Sequence, residues 1–119
     1  MTTFLCYDRC STCQKAQKWL GERGAAYTVR PIKEQNPTAA ELESWLAESG
    51  LPVKRFVNTS GLLYKSMGLK DRLPAMSDSE VCALLATDGM LVKRPLVVGE
   101  DFVLVGFNEA AWAARLGRD

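Results

Sequence analysis

At 119 residues, with 47% hydrophobic and 24% charged side chains, the chain is expected to form one soluble domain large enough to bury a core without staples. A formal charge of +1 gives no electrostatic case for nucleic acid or a membrane surface as the main partner, and no segment approaches the ~20 apolar residues that span a bilayer. Histidine is absent, which removes Cys/His zinc sites, Ser-His and Cys-His nucleophile pairs, and imidazole acid–base chemistry.

The N-terminal "TTFLCY" is a short run of strand-forming residues and predicts a buried strand from Thr3 to Tyr7. It lacks the basic lead and longer apolar stretch of a signal peptide, so the expected location is cytoplasmic. Thiols there are held reduced, and a close pair points to catalysis, redox sensing or metal binding before a structural staple.

"CYDRCSTCQKAQKWL" then puts three of the four cysteines within eight positions, directly before a helical pattern. Ala16, Trp19 and Leu20 recur at helical spacing, and Gly24 is placed to end that helix in a left-handed conformation. If the helix begins near Cys10, its first turn leaves backbone N–H groups without intrahelical partners. Those groups and the positive end of the helix dipole favour a thiolate over a thiol. Cys10, at the helix mouth, is therefore the predicted nucleophile. Cys13, one turn further on, is placed to attack a mixed disulfide formed at Cys10.

Ser11, Thr12 and Cys13 contribute the backbone N–H groups of an expected anion pocket, with Lys15 adding positive charge. The same spacing serves half a zinc site, but the other half is missing, because Cys82 is solitary. A disulfide between Cys10 and Cys13 would close a very small loop and gain little. Cys6 in its strand and Cys82 in its helix are expected to be small core residues.

"AYTVRPI" alternates, with Tyr27 and Val29 on one face, and predicts a second strand; strand, helix and strand within about thirty residues make a βαβ unit. Helices follow. "NPTAAELESWLAESG" carries the capping-box pattern Thr38…Glu41, an apolar stripe of Leu42, Trp45 and Leu46, and Gly50 as a stop. "NTSGLLYKSMG" predicts a shorter helix ending near Gly68. "MSDSEVCALLATDG" repeats the box with Ser77…Glu80, buries Val81, Leu84 and Leu85, and ends before Gly89.

In "RPLVVGEDFVLVGF" two apolar runs are split by Gly99-Glu100-Asp101, a hairpin signal. "NEAAWAARLG" closes the chain with Asn108 as cap and Trp112 and Leu116 on one helix face. The order βαβ, helical insertion, ββα predicts a mixed four-stranded sheet of α/β class with the plan of a thioredoxin-like fold. It forms a single domain over residues 1–119, with the insertion at about 36–89. Proline before a strand marks a strand start or a cis peptide. In such a sheet a cis Pro95 lies beside the helix mouth, and Arg94 reaches toward the Cys10 thiolate or an incoming oxyanion.

Taken together, "CSTCQKA", "LVKRPLVV" and "VLVGFNEAAW" resemble the arsenate reductase (ArsC) / Spx family, in order and over essentially the whole chain. The resemblance implies that Cys10 matches the family's reactive cysteine, and that Arg94-Pro95 matches its anion-facing arginine and cis-proline. One branch, the glutaredoxin-coupled arsenate reductases, uses that thiolate on arsenate, with glutathione attacking the adduct. At the matching stretches "RFVNTSG" and "VLVGFNE", Asn58 and Gly106 stand where two further arginines hold the oxyanion, which counts against arsenate as substrate. The other branch, Spx-type regulators, resembles the chain in having both Cys10 and Cys13, a redox switch in proteins that bind the C-terminal domain of the RNA polymerase α subunit.

The resemblance thus implies a thiol-dependent oxidoreductase acting on a small oxyanion or a disulfide, with no bound cofactor or metal and with glutathione, thioredoxin or glutaredoxin as reductant. The alternative it implies is a redox-sensing transcriptional regulator.

Overall fold

The computed structural model describes residues 2–116. Its sheet is built around β1 (Thr3–Cys6), where Phe4 and Leu5 are wholly buried. β1 pairs in parallel with β2 (Thr28–Pro31) and antiparallel with β3 (Leu96–Val98), which pairs antiparallel with β4 (Val103–Val105). The strand order β2-β1-β3-β4 gives the mixed four-stranded, thioredoxin-like sheet that the order of elements predicts. β1 ends at Cys6, one residue before the expected Tyr7.

Between β1 and β2 runs α1 (Ser11–Glu22), which buries Cys13, Ala16, Trp19 and Leu20 along one face; Gly24 follows it at φ +66°. After β4 comes α6 (Glu109–Leu116), whose first turn is capped by Asn108 Oδ1, accepting the Ala111 N–H at 2.9 Å. Phe4 and Cys6 of β1 and Val97 of β3 share one sheet face, and α1 and α6 cover it. Trp19 and Trp112 meet edge to face at 6.0 Å, Phe107 and Trp112 at 4.9 Å, and Phe4 and Trp112 at 6.4 Å. The Trp112 indole N–H donates to the Gly106 carbonyl at 3.0 Å, so the polar end of this buried ring is satisfied. Truncating a side chain of this kind to alanine costs about 3–5 kcal/mol, so the aromatic cluster helps hold α1, through Trp19, in the core.

The alternation predicted for the second strand is only half realised. Tyr27 packs on Phe4 with ring centroids at 5.7 Å, whereas Val29 is 45% exposed. The cause is position: β2 is an edge strand with a single partner.

The chain divides into two compact units, one formed by residues up to Pro31 with those from Arg94 onward, the other by Ile32–Lys93. The second is helical, with α2 (Ala39–Ser49), α3 (Leu62–Ser66), α4 (Leu69–Arg72) and α5 (Asp78–Leu85). Both predicted capping boxes form, with Thr38 bonding to Glu41 and Ser77 to Glu80 in both directions. Gly50 and Gly68 adopt left-handed conformations at the ends of α2 and α3.

α4 and three short 3₁₀ turns (Val53–Phe56, Leu73–Ala75, Gly89–Leu91) have no counterpart in the sequence reading, since pieces this short show no period. One detail of α5 also differs from it: Leu84, expected to be buried, is half-buried, while Val81, Cys82 and Leu85 are buried. The helix ends at Leu85, before Gly89 as expected, and Gly89 is buried against the Ile32 carbonyl, where any Cβ would collide with that oxygen.

Candidate active site

α1 begins where Cys10 leaves an extended backbone (φ −90°, ψ 120°) and takes the N-cap position. The turn before it is closed by the Cys10 N–H, which donates to the Tyr7 carbonyl at 3.0 Å. An N-cap ordinarily offers a side-chain oxygen to the unpaired amides of the first turn. Here the acceptor is sulfur: the Cys13 N–H donates to Cys10 Sγ at 3.5 Å.

Burial is the largest single influence on Cys10, and it disfavours the charged form. It is outweighed by the Cys13 amide and thiol, the Arg94 charge and the Thr12 amide, which all favour a thiolate, so the Cys10 pKa lies below that of an ordinary thiol. The first turn of α1 carries no acidic residue to oppose this.

Cys13 is only 1% exposed, and its Sγ accepts the Tyr7 N–H at 3.4 Å. Burial pushes its pKa up to about 12 against that bond, helped by the hydrogen bond it gives to Cys10 and by the charges of Cys10 and Cys6. Of the two sulfurs Cys10 is therefore the more readily ionised and the more accessible, while Cys13 keeps its proton and donates a hydrogen bond to Cys10.

Arg94 supplies the cation. The Arg94–Pro95 peptide bond is cis, Pro95 is buried, and the Gly106 N–H donates to the Pro95 carbonyl at 2.8 Å. The guanidinium lies over the Tyr7 ring, 5.2 Å from its centroid. Its Nε and Nη1 are buried and have no hydrogen-bond partner among the described residues. Buried donors without partners are rare, and two on one guanidinium whose charge acts on Cys10 make a site suited to an anionic group.

Of the other residues expected here, Ser11 and Thr12 are exposed on the first turn, and Thr12 contributes through its backbone N–H. Lys15 is exposed on α1, and the positive charge that acts on Cys10 is that of Arg94. Cys6 is buried in β1, its pKa raised by burial and then by Asp8 and Cys10; Cys82 is buried in α5. All four cysteines are free thiols. Tyr7, whose ring, carbonyl and amide all touch the site, is absent from the sequence reading, where it appears only as the end of a strand. Its position three residues before Cys10 carries no known motif.

The two positions expected to lack family arginines are committed to structure. Asn58 Nδ2 donates to the Met90 carbonyl at 3.3 Å, and its Oδ1 accepts the Ser60 hydroxyl at 3.2 Å. Gly106 stands at φ +71°, where a side chain would be strained, and its carbonyl holds the Trp112 indole.

The sequence profile of the ArsC family matches residues 5–115. The chain belongs to the ArsC family. Within it, a crystal structure of an ArsC family related protein from Bacteroides fragilis is 57% identical, with a TM-score of 0.93 over 95% of both chains. An uncharacterized protein, YusI, from Bacillus subtilis (strain 168) is 48% identical over 90% of this chain and 91% of its own length.

More distant matches carry two kinds of name. An arsenate reductase structure from Vibrio cholerae is 26% identical at a TM-score of 0.76, covering 86% of each chain. The global transcriptional regulator Spx of Staphylococcus haemolyticus (strain JCSC1435) is 27% identical over 92% of this chain and 82% of its own length.

Proposed function

We propose that the chain is a thiol-dependent oxidoreductase in which the Cys10 thiolate attacks an oxidised sulfur substrate, a disulfide or a comparably thiol-reactive compound. The observation that carries this reading is a single one. Cys10 Sγ caps α1, takes hydrogen bonds from Cys13 and feels the charge of Arg94, so its pKa lies below that of an ordinary thiol and it is partly accessible.

In the first step the Cys10 electron pair forms a new S–S bond to one substrate sulfur, the substrate S–S bond breaks, and the other sulfur leaves as a thiolate. Arg94 stabilises the attacking charge and then the departing one. A second thiol then attacks the mixed disulfide. If it is Cys13, the products are a Cys10–Cys13 disulfide and the second substrate thiol, and an external dithiol such as thioredoxin restores the pair. If it is glutathione, the new disulfide carries a glutathione sulfur, and glutaredoxin with more glutathione restores Cys10. Each route reduces one substrate disulfide with two thiols.

The high pKa and burial of Cys13 favour the external thiol for resolution, because little Cys13 is ionised at neutral pH. Arsenate is disfavoured as substrate by the structural commitments of Asn58 and Gly106.

A second reading, a redox-sensing regulator that engages the RNA polymerase α C-terminal domain, draws on the Cys10/Cys13 pair and on the likeness to proteins named Spx. The test is turnover by the reduced protein of an insulin-type disulfide, and separately of arsenate with glutathione and glutaredoxin. Disulfide turnover that disappears in Cys10→Ser supports the enzyme. Absence of turnover in both assays, with disulfide-dependent capture of RNA polymerase α, overturns it in favour of the regulator.

A further inference from the structure

Tyr7 meets the site at three points. Its carbonyl accepts the Cys10 N–H at 3.0 Å, its N–H donates to Cys13 Sγ at 3.4 Å, and its ring lies 5.2 Å below the Arg94 guanidinium carbon. The first two contacts are backbone contacts, which almost any residue makes. The ring is what tyrosine adds.

Arg94 needs such a support. A long arginine side chain has many rotamers, and among the described residues its Nε and Nη1 have no hydrogen-bond partner to fix their direction. The face of an aromatic ring attracts a guanidinium through its quadrupole, and the attraction grows when water is excluded. Tyr7 is half-buried, so the contact is partly shielded.

We propose that Tyr7 is a positioning residue whose ring holds the Arg94 guanidinium where its charge acts on Cys10. The proposal rests on the reading of Cys10 as the reactive thiolate. The titratable groups that face Cys10 are Cys13 on α1, Cys6 on β1 and Arg94 before β3, and a Tyr7 variant leaves all of them in the chain.

The experiment follows the Cys10 midpoint in the reduced full chain by the pH dependence of iodoacetamide alkylation and of thiolate absorbance. Tyr7→Leu is expected to raise that midpoint by about half a unit to one unit. Tyr7→Phe, which keeps the ring, is expected to rescue it. In an Arg94→Gln background, Tyr7→Leu is expected to add nothing further, because the charge it positions is gone.

A midpoint unmoved by Tyr7→Leu, or moved equally in the Arg94→Gln background, overturns the role of Tyr7 while leaving Cys10 as the nucleophile. A parent midpoint at the value of free cysteine overturns both readings. Should Tyr7→Leu fail to fold, the parent itself gives the answer by NMR. Arg94 δ and Nε protons shifted upfield by the ring current support the stacked position, and ordinary shifts overturn it.

Discussion

At the start of α2, Thr38 Oγ1 accepts the Glu41 N–H at 3.1 Å while Glu41 Oε1 accepts the Thr38 N–H at 3.0 Å. At the start of α5, Ser77 and Glu80 do the same at 3.1 and 2.8 Å. At the start of α1 the cap is Cys10, the acceptor is a sulfur at 3.5 Å, and no carboxylate answers it. The first two helices satisfy their orphan amides with hydroxyl and carboxylate oxygens and set acids in the first turn against the dipole. In α1 the same amides favour the thiolate form of Cys10, and an acid there would oppose it. A helix start can serve stability or reactivity, and these three show the difference in residue choice between the two.

The contrast can be broken at several points, beginning with the most severe. Cys10→Ser should abolish the fast-alkylating thiol and all disulfide turnover, as followed by stopped-flow labelling and a coupled reductase assay. A retained fast phase would mean that another sulfur is the nucleophile.

Cys13→Ala removes the thiol that donates to Cys10. A hydrogen bond to a charged group contributes about 1.5–3 kcal/mol, so the Cys10 midpoint should rise by about one unit or more, read from thiolate absorbance. The same variant tests stability in alkali. Folded Cys13 keeps its proton to about pH 12, whereas in an unfolded chain a thiol loses it near ~8.5, so the folded state loses stability as pH rises between these values. Cys10 runs the opposite way, with its stabilisation present above the unfolded thiol value and lost as pH falls through its lowered folded value. Urea unfolding at neutral and alkaline pH should therefore show a steeper alkaline loss in the parent than in Cys13→Ala.

At the structural caps, Thr38→Ala or Ser77→Ala should each cost about 1 kcal/mol in urea unfolding and leave the Cys10 titration where it was. The smallest effect sharpens the comparison most directly. Ser11→Glu gives α1 the acidic first turn of the other two helices. It should raise the Cys10 midpoint by a few tenths of a unit, in line with charge–dipole effects of about 0.3–1 kcal/mol.

Much of this was legible from residue order. Capping boxes, left-handed glycines and the Gly99 hairpin are local devices, and Thr38, Ser77, Gly50 and Gly68 behave as their neighbours dictate. The CxxC at a helix mouth and the proline before β3 were legible for the same reason. What escaped were contacts between residues distant in sequence. Gly89 is a glycine because the Ile32 carbonyl lies against it, and nothing within ten positions of Gly89 says so. Tyr7 belongs to the site through Arg94, eighty-seven positions away. Lys15 illustrates the converse: it is near Cys10 in sequence, yet exposed on α1, while the distant Arg94 provides the charge.

The aromatic cluster also has a practical reach. Trp19 and Trp112 belong to the unit that carries Cys10, and Trp45 belongs to the helical one. Replacing Trp45 with phenylalanine leaves intrinsic fluorescence as a private reporter of the unit that carries Cys10, and removing the other pair gives the reverse. Melting of the two halves can then be watched one at a time, in an untagged chain and without any dye.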